Sequence, residues 1–218
     1  MPSPLSSSPF IPPIIIAIVG GSCSGKTTLA HYLSDRLNAG QNAAQCLMIR
    51  QDDYYFDIRT RARGDEIPNF DVPEAIDFAA LRRDLDALRA GKSVHLPNYD
   101  FTTHYRKPAV TPAGHHPYII VEGILLLASP ALDGAFDHSV YLRCDEDLRF
   151  ARRLSRDVAE RARTPDFVKQ QFYGEVAPAH KRYVSPSARK AGRVIEQEEY
   201  CNDIAGLADR LIADWRGG

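Results

Sequence analysis

Gly20-Gly21-Ser22-Cys23-Ser24-Gly25-Lys26-Thr27 is the stretch on which the fold is decided. An unbroken aliphatic run, Ile14-Ile15-Ile16-Ala17-Ile18-Val19, leads into it. Thr28 to Leu37 follows and reads as a helix, with Leu29, Leu33 and Leu37 on one face. Gly20, Gly25, Lys26 and Thr27 satisfy G-x-x-x-x-G-K-[ST], and the strand and helix this pattern requires flank it. Glycines let the backbone turn its N–H groups inward onto phosphate oxygens. The helix opened by the loop adds a dipole that favours negative charge. Lys26 is expected to reach the outer phosphates of a nucleotide, and the Thr27 hydroxyl to hold Mg²⁺. The bland alternative is a glycine turn between strand and helix. Chance produces this pattern rarely in a chain of this size, and the flanking elements make it rarer.

The chain has 218 residues, enough for one α/β domain with a full core. Lys and Arg number 27 against 28 Asp and Glu, so nothing suggests bulk attraction to nucleic acid or to a membrane. Cys23, Cys46, Cys144 and Cys201 are scattered, without paired spacing. That argues for free thiols in a reducing, cytoplasmic compartment and against a zinc site. Residues 1–13 are rich in Pro and Ser and read as a flexible tail, with a single domain from 14 to 218. The apolar run after the tail is too short to span a membrane.

Continuous aliphatics in Ile14–Val19 suit a parallel strand buried on both faces. Gln45 to Ile49 reads as a second strand. It ends in Gln51-Asp52-Asp53-Tyr54-Tyr55, placed near the phosphate loop because strand carboxyl ends face the ligand in open α/β sheets. Residues from Arg59 to Asn69 read as a mobile loop. A helix is expected from Asp71-Val72-Pro73-Glu74, with Leu81, Leu85 and Leu88 on one face. Asn98 to Arg106 reads as a loop or hairpin dense in polar and aromatic groups. Tyr118 to Leu127 is a buried strand interrupted by Glu122-Gly123, and Ser139 to Leu142 is another. Asp147 to Glu160 is helical; Thr164-Pro165 breaks it, and a second helix is expected from Asp166 to Ala177. Gly192 to Ile195 is a short strand. Asn202 is expected to cap a final helix with an apolar stripe from Ile204 to Trp215. Strands alternating with helices indicate a doubly wound parallel sheet, an α/β P-loop architecture.

Four constellations carry chemistry. Asp52 and Asp53 lie where a phosphoryl transferase needs a carboxylate that takes a proton from the attacking hydroxyl; Asp52, first after the strand, is the candidate base. Glu122 sits within an aliphatic strand, where a carboxylate must be paired, and occupies the position of a metal-binding acid. Arg149, Arg152, Arg153, Arg156, Arg161 and Arg163 fall within fifteen residues, against Asp157 and Glu160. A solvated helix face is the usual meaning of such a run. The one-sided excess and the Thr164-Pro165 break favour an arginine-bearing lid, about 149–171, closing over a triphosphate. Tyr99, Asp100, His104 and Arg106 suit a base and a sugar, or a structural hairpin whose tyrosines pack on the sheet, at even weight. His115-His116 lacks a third ligand and is not read as a metal site.

Taken together the chain resembles the uridine kinase (uridine–cytidine kinase) family, within the group that includes phosphoribulokinase. The likeness covers about Ile14 to Ile195. It rests on Gly20–Thr28, Gln51-Asp52 with Tyr55, Asn69-Phe70-Asp71 with Pro73, Tyr99-Asp100-Phe101 with His104 and Arg106, Glu122-Gly123-Ile124-Leu125, and Arg156-Asp157 through Glu160-Arg161-Ala162-Arg163. The resemblance implies a β-hairpin substrate arm and ATP-dependent phosphorylation of the 5′-hydroxyl of uridine or cytidine. It makes Lys26, Asp52, Arg156 and Arg161 catalytic. Gly20, Gly21, Ser22, Cys23, Ser24, Gly25, Lys26, Thr27 and Thr28, with Arg156 and Arg161, would hold ATP. Thr27, Asp52 and Glu122 would surround Mg²⁺. Asp71 would bind the ribose. Tyr55, Tyr99 and His104 would hold the pyrimidine, with Arg106 in the same hairpin and Arg153, Arg163 and Gln171 nearby. A histidine at the position of His104 goes with acceptance of both nucleosides in that family. The resemblance also implies a homo-oligomer, a dimer or tetramer.

The chain departs from the family at Ala162, where Gly is usual, and a stiffer lid is expected there. The loop between Tyr55 and Asn69 is short. Glu196-Gln197-Glu198-Glu199 replaces a Pro-Arg-Gly type turn, which leaves ATP or GTP open as donor. Rival readings are the same chemistry on nicotinamide riboside, phosphoribulose or a pantothenate-like alcohol, a GTP-dependent switch, and an idle nucleotide-binding subunit. Tyr99-Asp100-Phe101 with His104 argues against the nicotinamide riboside branch, the absence of an N/T-K-x-D motif against the switch, and intact Lys26, Thr27, Asp52 and Glu122 against the idle subunit.

Overall fold

The computed structural model describes residues 10–60 and 69–217. Its centre is β1 (Ile14–Gly20), whose residues Ile15 to Val19 have no solvent exposure. β7 (Tyr118–Gly123) pairs with it in parallel on one side and β8 (His138–Leu142) on the other. β2 (Cys46–Arg50) extends the sheet beyond β7, and β9 (Arg193–Ile195) beyond β8. The five parallel strands therefore run in the order β2-β7-β1-β8-β9. A strand covered on both faces has no need of alternation, which is why β1 reads as a continuous aliphatic run.

Two apolar layers cover the sheet. On one face α1 (Lys26–Asn38) packs Leu29, Leu33 and Leu37 against Leu207, Leu211 and Trp215 of α8 (Ile204–Gly217). On the other, α2 (Phe78–Arg89) buries Leu81, Leu85 and Leu88. Asp77 caps α2 by accepting from Ala80 N at 2.9 Å. The helix expected from Asp71 thus begins later, and Pro73–Ala75 forms only a 3₁₀ turn. A second correction falls at β7, which stops at Gly123, so Ile124 to Leu127 is a buried turn and not strand. The cause is Gln51: its Oε1 accepts from Leu125 N at 2.7 Å. Its side chain also occupies the space a Cβ at Gly123 would need, 2.5 Å away.

β3 (Val94–Leu96) pairs with β6 (Thr111–Ala113), and between them β4 (Tyr99–Asp100) and β5 (Tyr105–Arg106) form the expected hairpin. α3 (Glu146–Arg161) carries the arginines. The chain then continues through α4 (Pro165–Gln171), α5 (Ala177–Ala179) and α6 (Ser185–Ser187), joined by two π-helical turns, Phe172–Val176 and His180–Val184. Pro178 and Pro186 each follow such a turn. A helical proline offers no N–H and crowds the carbonyl four residues back, Gly174 and Arg182 here. Widening the turn relieves that clash without ending the helix. α7 (Gln197–Asn202) precedes α8, and Asp203, not Asn202, supplies the cap, accepting from Gly206 N at 2.7 Å.

All four cysteines are free thiols. Among the described residues no helix is long and apolar enough to cross a membrane, and no group of His, Cys, Asp and Glu is arranged to hold a metal unaided. Most of the loop expected from Arg59 to Asn69, and residues 1–9 of the expected tail, lie outside the described residues. Phe10 lies edge-on to His115 at 5.4 Å.

Candidate active site

The phosphate loop takes the form its glycines permit. Gly25 stands at φ 101 and Cys23 at φ 62, both left-handed, and Ser24 N donates to Gly21 O at 3.1 Å. At Gly20 a Cβ would lie 2.6 Å from Ser24 Oγ and 2.8 Å from the Leu142 carbonyl, so the loop closes only around glycine. α1 begins at Lys26 with no side-chain cap and no acidic residue in its first turn. Its leading N–H groups are left for an anion.

Glu122 ties the loop to the end of β7. Its Oε2 accepts from Thr27 Oγ1 at 3.1 Å and lies 3.6 Å from Lys26 Nζ, and the residue is 6% exposed. Asp52 lies in a 3₁₀ turn, Gln51–Tyr54, at the end of β2. Burial, with repulsion from Glu122, raises its carboxyl to about 6 against the pull of Lys26, and Asp71 and Asp53 add to the repulsion. A carboxyl that charges near neutrality is matched to proton transfer at physiological pH. Asp53 is otherwise engaged: it pairs with Arg50 at 2.8 Å and accepts from Tyr99 N at 3.3 Å, anchoring the hairpin.

Beyond Asp52 lies an aromatic wall. Tyr55 packs on Tyr99 and on Phe70, each pair at 5.3 Å between ring centres. His104 stacks on Phe70 at 4.8 Å with an interplanar angle of 17°, and its Nδ1 lies 3.5 Å from Tyr99 Oη. Its backbone stands at φ 60, and its N–H donates to Asp100 O at 2.7 Å. Burial, helped by Arg163, holds the imidazole below its ordinary value against the pull of Asp100. Burial raises the Asp71 carboxyl despite the nearby charges of Arg153 and Lys26. Arg106 is turned to structure: it donates to the carbonyls of Tyr55 at 2.8 Å and Tyr54 at 3.0 Å and pairs with Asp77 at 3.4 Å. Asp100 closes the hairpin turn, accepting from Thr102 N at 2.8 Å.

The arginine run is organised around one buried carboxylate. Asp157 has no exposure, and Arg153 at 3.6 Å, Arg156 at 2.8 Å, Arg161 at 3.6 Å and Arg163 at 3.0 Å converge on it. Burial works to raise this carboxyl, and the arginines, Arg156 foremost, overcome it and hold it below the usual range. Arg153 links the cluster to the phosphate loop through Ser22 Oγ at 3.1 Å. Gln171 Oε1 accepts from both Arg153 at 2.9 Å and Arg163 at 3.1 Å. Loop, acids, aromatic wall and arginines thus form one continuous site. Gln51, Phe70 and Asp157 are the residues that sequence reasoning left without a role; only the surplus of arginine around Asp157 gave a signal.

The chain matches the family model described as the Phosphoribulokinase / Uridine kinase family over residues 15–205. It belongs to that family. It is 41% identical over 184 residues to a uridine kinase of Chloroflexus aggregans, covering 82% of this chain and 84% of the relative. It is 36% identical to a uridine kinase of Halobacterium salinarum, covering 89% and 84%. Among solved structures the same fold occurs in D-glycerate 3-kinase from Cryptococcus neoformans, with a TM-score of 0.65, 16% identity and coverage of 89% and 90%. It recurs in a protein of Bacillus stearothermophilus described as a possible uridine kinase, with a TM-score of 0.61, 21% identity and coverage of 87% and 91%.

Two departures within this phosphoribulokinase/uridine kinase chain have a visible structural setting. Ala162 ends α3 in the left-handed region at φ 51, its N–H donating to Asp157 O. The acidic stretch is ion-paired scaffold: Glu196 meets Arg143 at 2.8 Å, and Glu199 meets Arg193 at 2.8 Å. α7 then sets the Tyr200 ring against Gly25, where a Cβ would approach it to 3.0 Å.

Proposed function

We propose that this chain is a nucleoside kinase that transfers the terminal phosphoryl group of ATP to the 5′-hydroxyl of uridine or cytidine. The observation that carries the reading is the position of Asp52. It feels Lys26 and Glu122 on the phosphate-loop side and Asp71 on the side of the aromatic wall. A base there can serve a hydroxyl lying between the two. The names of the family relatives support the same acceptor class.

Asp52 accepts the proton of the attacking hydroxyl as oxygen bonds to phosphorus, and the nucleoside diphosphate leaves. Lys26, Arg156 and Arg161 neutralise charge on the transferred group, and the Arg-bearing segment closes over it to exclude water. Thr27 Oγ1 and Glu122 already meet at 3.1 Å, and with Asp52 they offer the hard oxygen donors that suit Mg²⁺. When bound, Mg²⁺ supplies charge neutralisation at the phosphoryl oxygens. Tyr55, Tyr99 and His104 present faces for a pyrimidine, Phe70 backs His104, and Asp71 accepts from ribose hydroxyls. Arg153 and Arg163, both donating to Gln171 Oε1, border the acceptor with it. We assign Arg106 to holding the hairpin in place. A single kinase domain in a cytoplasmic homo-oligomer completes the reading, and Phe101 and Tyr105, exposed on the hairpin arm, offer apolar surface for subunit contact.

The test is incubation with Mg·ATP and a panel of nucleosides and small alcohols, with the phosphorylated product identified by mass. Uridine or cytidine monophosphate is expected. No product from any pyrimidine nucleoside would overturn the acceptor assignment.

A further inference from the structure

A second recess opens behind the phosphate loop, a cleft of about 380 Å³ between the end of β8, the start of α3 and the second π-turn. Arg149 lines it and is 1% exposed. Its Nε donates to Cys144 O at 3.2 Å, whereas Nη1 has no hydrogen-bond partner among the described residues. The nearest carboxylate, Glu146, stands 3.9 Å off and is half exposed. A buried guanidinium with a donor unmade and no close counter-charge is costly. Two turns along the same helix the opposite solution is built, several arginines sharing one buried carboxylate at Asp157. At Arg149 an open cleft takes the place of that carboxylate. Arg143 and Lys181 line it as well, so three cations face two carboxylates, Asp145 and Glu146. Arg143 is itself paired with Glu196 at 2.8 Å.

We propose that this rear cleft is a second anion site, taking a phosphate group, free or as the ester of a small molecule, with Arg149 as its main donor and Lys181 at its mouth. Its wall is shared with the phosphate loop. A Cβ at Gly21 would lie 2.8 Å from His180 and 3.0 Å from Arg149 Nη1, so an occupant of the cleft bears on the loop from behind. The competing account is that Arg149 serves only a triphosphate lying across Gly21.

The two are separated by calorimetric titration of the full chain, its phosphate loop first filled with a non-hydrolysable ATP analogue. Inorganic phosphate is one titrant and glycerol phosphate, a plain phosphate monoester, the other. Saturable binding is expected, at least tenfold weaker in Lys181→Glu and in Arg149→Met. Lys181→Glu leaves turnover without added phosphate unchanged, and because Lys181 is exposed it guards against loss of folding in the Arg149 variant. Preference for the monoester by tenfold or more identifies an esterified ligand, and equal affinity identifies free phosphate. Absence of saturable binding once the loop is filled, or unchanged affinity in Lys181→Glu, overturns the proposal.

Discussion

At the residue scale, environment assigns the roles of neighbouring acids. Asp52 and Asp53 are adjacent, yet Asp53 is consumed by Arg50 and by the hairpin, while Asp52 is left to titrate. Its raised value means that its basic form is lost as pH falls through about 6. The kcat/KM of the free enzyme should therefore fall toward acid with an apparent midpoint near there, and a flat profile from pH 5 to 8 would separate Asp52 from the chemistry. Asp157 has the opposite sign. Its folded value is depressed, so its stabilisation is present above the ordinary carboxylate range and is lost as pH falls through the folded value. Replacing Asp157 with Ala leaves several arginines without their common partner. A loss of about 2–4 kcal/mol is expected in urea unfolding, below the full figure for a buried pair because three of those arginines are partly exposed. Ala162 holds a conformation that costs a non-glycine residue about 1–2 kcal/mol. Ala162→Gly should raise the melting temperature by about 2–4 °C, and a lowered value would show that no strain is stored there.

At the element scale, the sequence was most legible where one physical demand rules a stretch. β1, the glycine loop, α1 and α8 follow from aliphatic continuity, glycine spacing and helical stripes, and the structure has them within a residue or two of their expected bounds. Elements whose limits are set by distant partners were not legible. Aliphatic residues resume after Glu122-Gly123 and run to Leu127, and it is Gln51, just beyond β2, that halts the strand at Gly123. Asp71 resembles a helix cap, yet Asp77 performs that task because Phe78 to Leu88 is the segment with a face to bury. Of the candidate site, residue types revealed the phosphate loop, Asp52 and Glu122. The stacking of Phe70 on His104 and the convergence on Asp157 depend on the hairpin and α3 meeting other elements. The junction of Gln51 and Gly123 is itself testable. Gly123→Ala should cost about 1–3 kcal/mol through overpacking, measured by denaturant unfolding, because its Cβ would fall 2.5 Å from Gln51. Full tolerance of the substitution would show that Gln51 does not fix the strand end.

At the scale of the whole molecule, the parallel sheet brings the ends of β1, β2 and β7 to one edge, and the chemistry gathers there from segments far apart in sequence. The loop after β1 supplies Lys26 and Thr27, the turn after β2 supplies Asp52, and the end of β7 supplies Glu122. The hairpin and α3 approach the same edge and set an aromatic wall and an arginine cluster around it. In the proposed reaction the acceptor would be held by the wall and the phosphoryl group transferred at the edge. The account stands on Asp52 joining the two. Single-turnover transfer of labelled phosphoryl from Mg·ATP to uridine, compared between the wild type and Asp52→Asn, tests this most directly. The prediction is a rate lowered by about 10²–10⁴ with nucleotide affinity retained; transfer at the wild-type rate would contradict it.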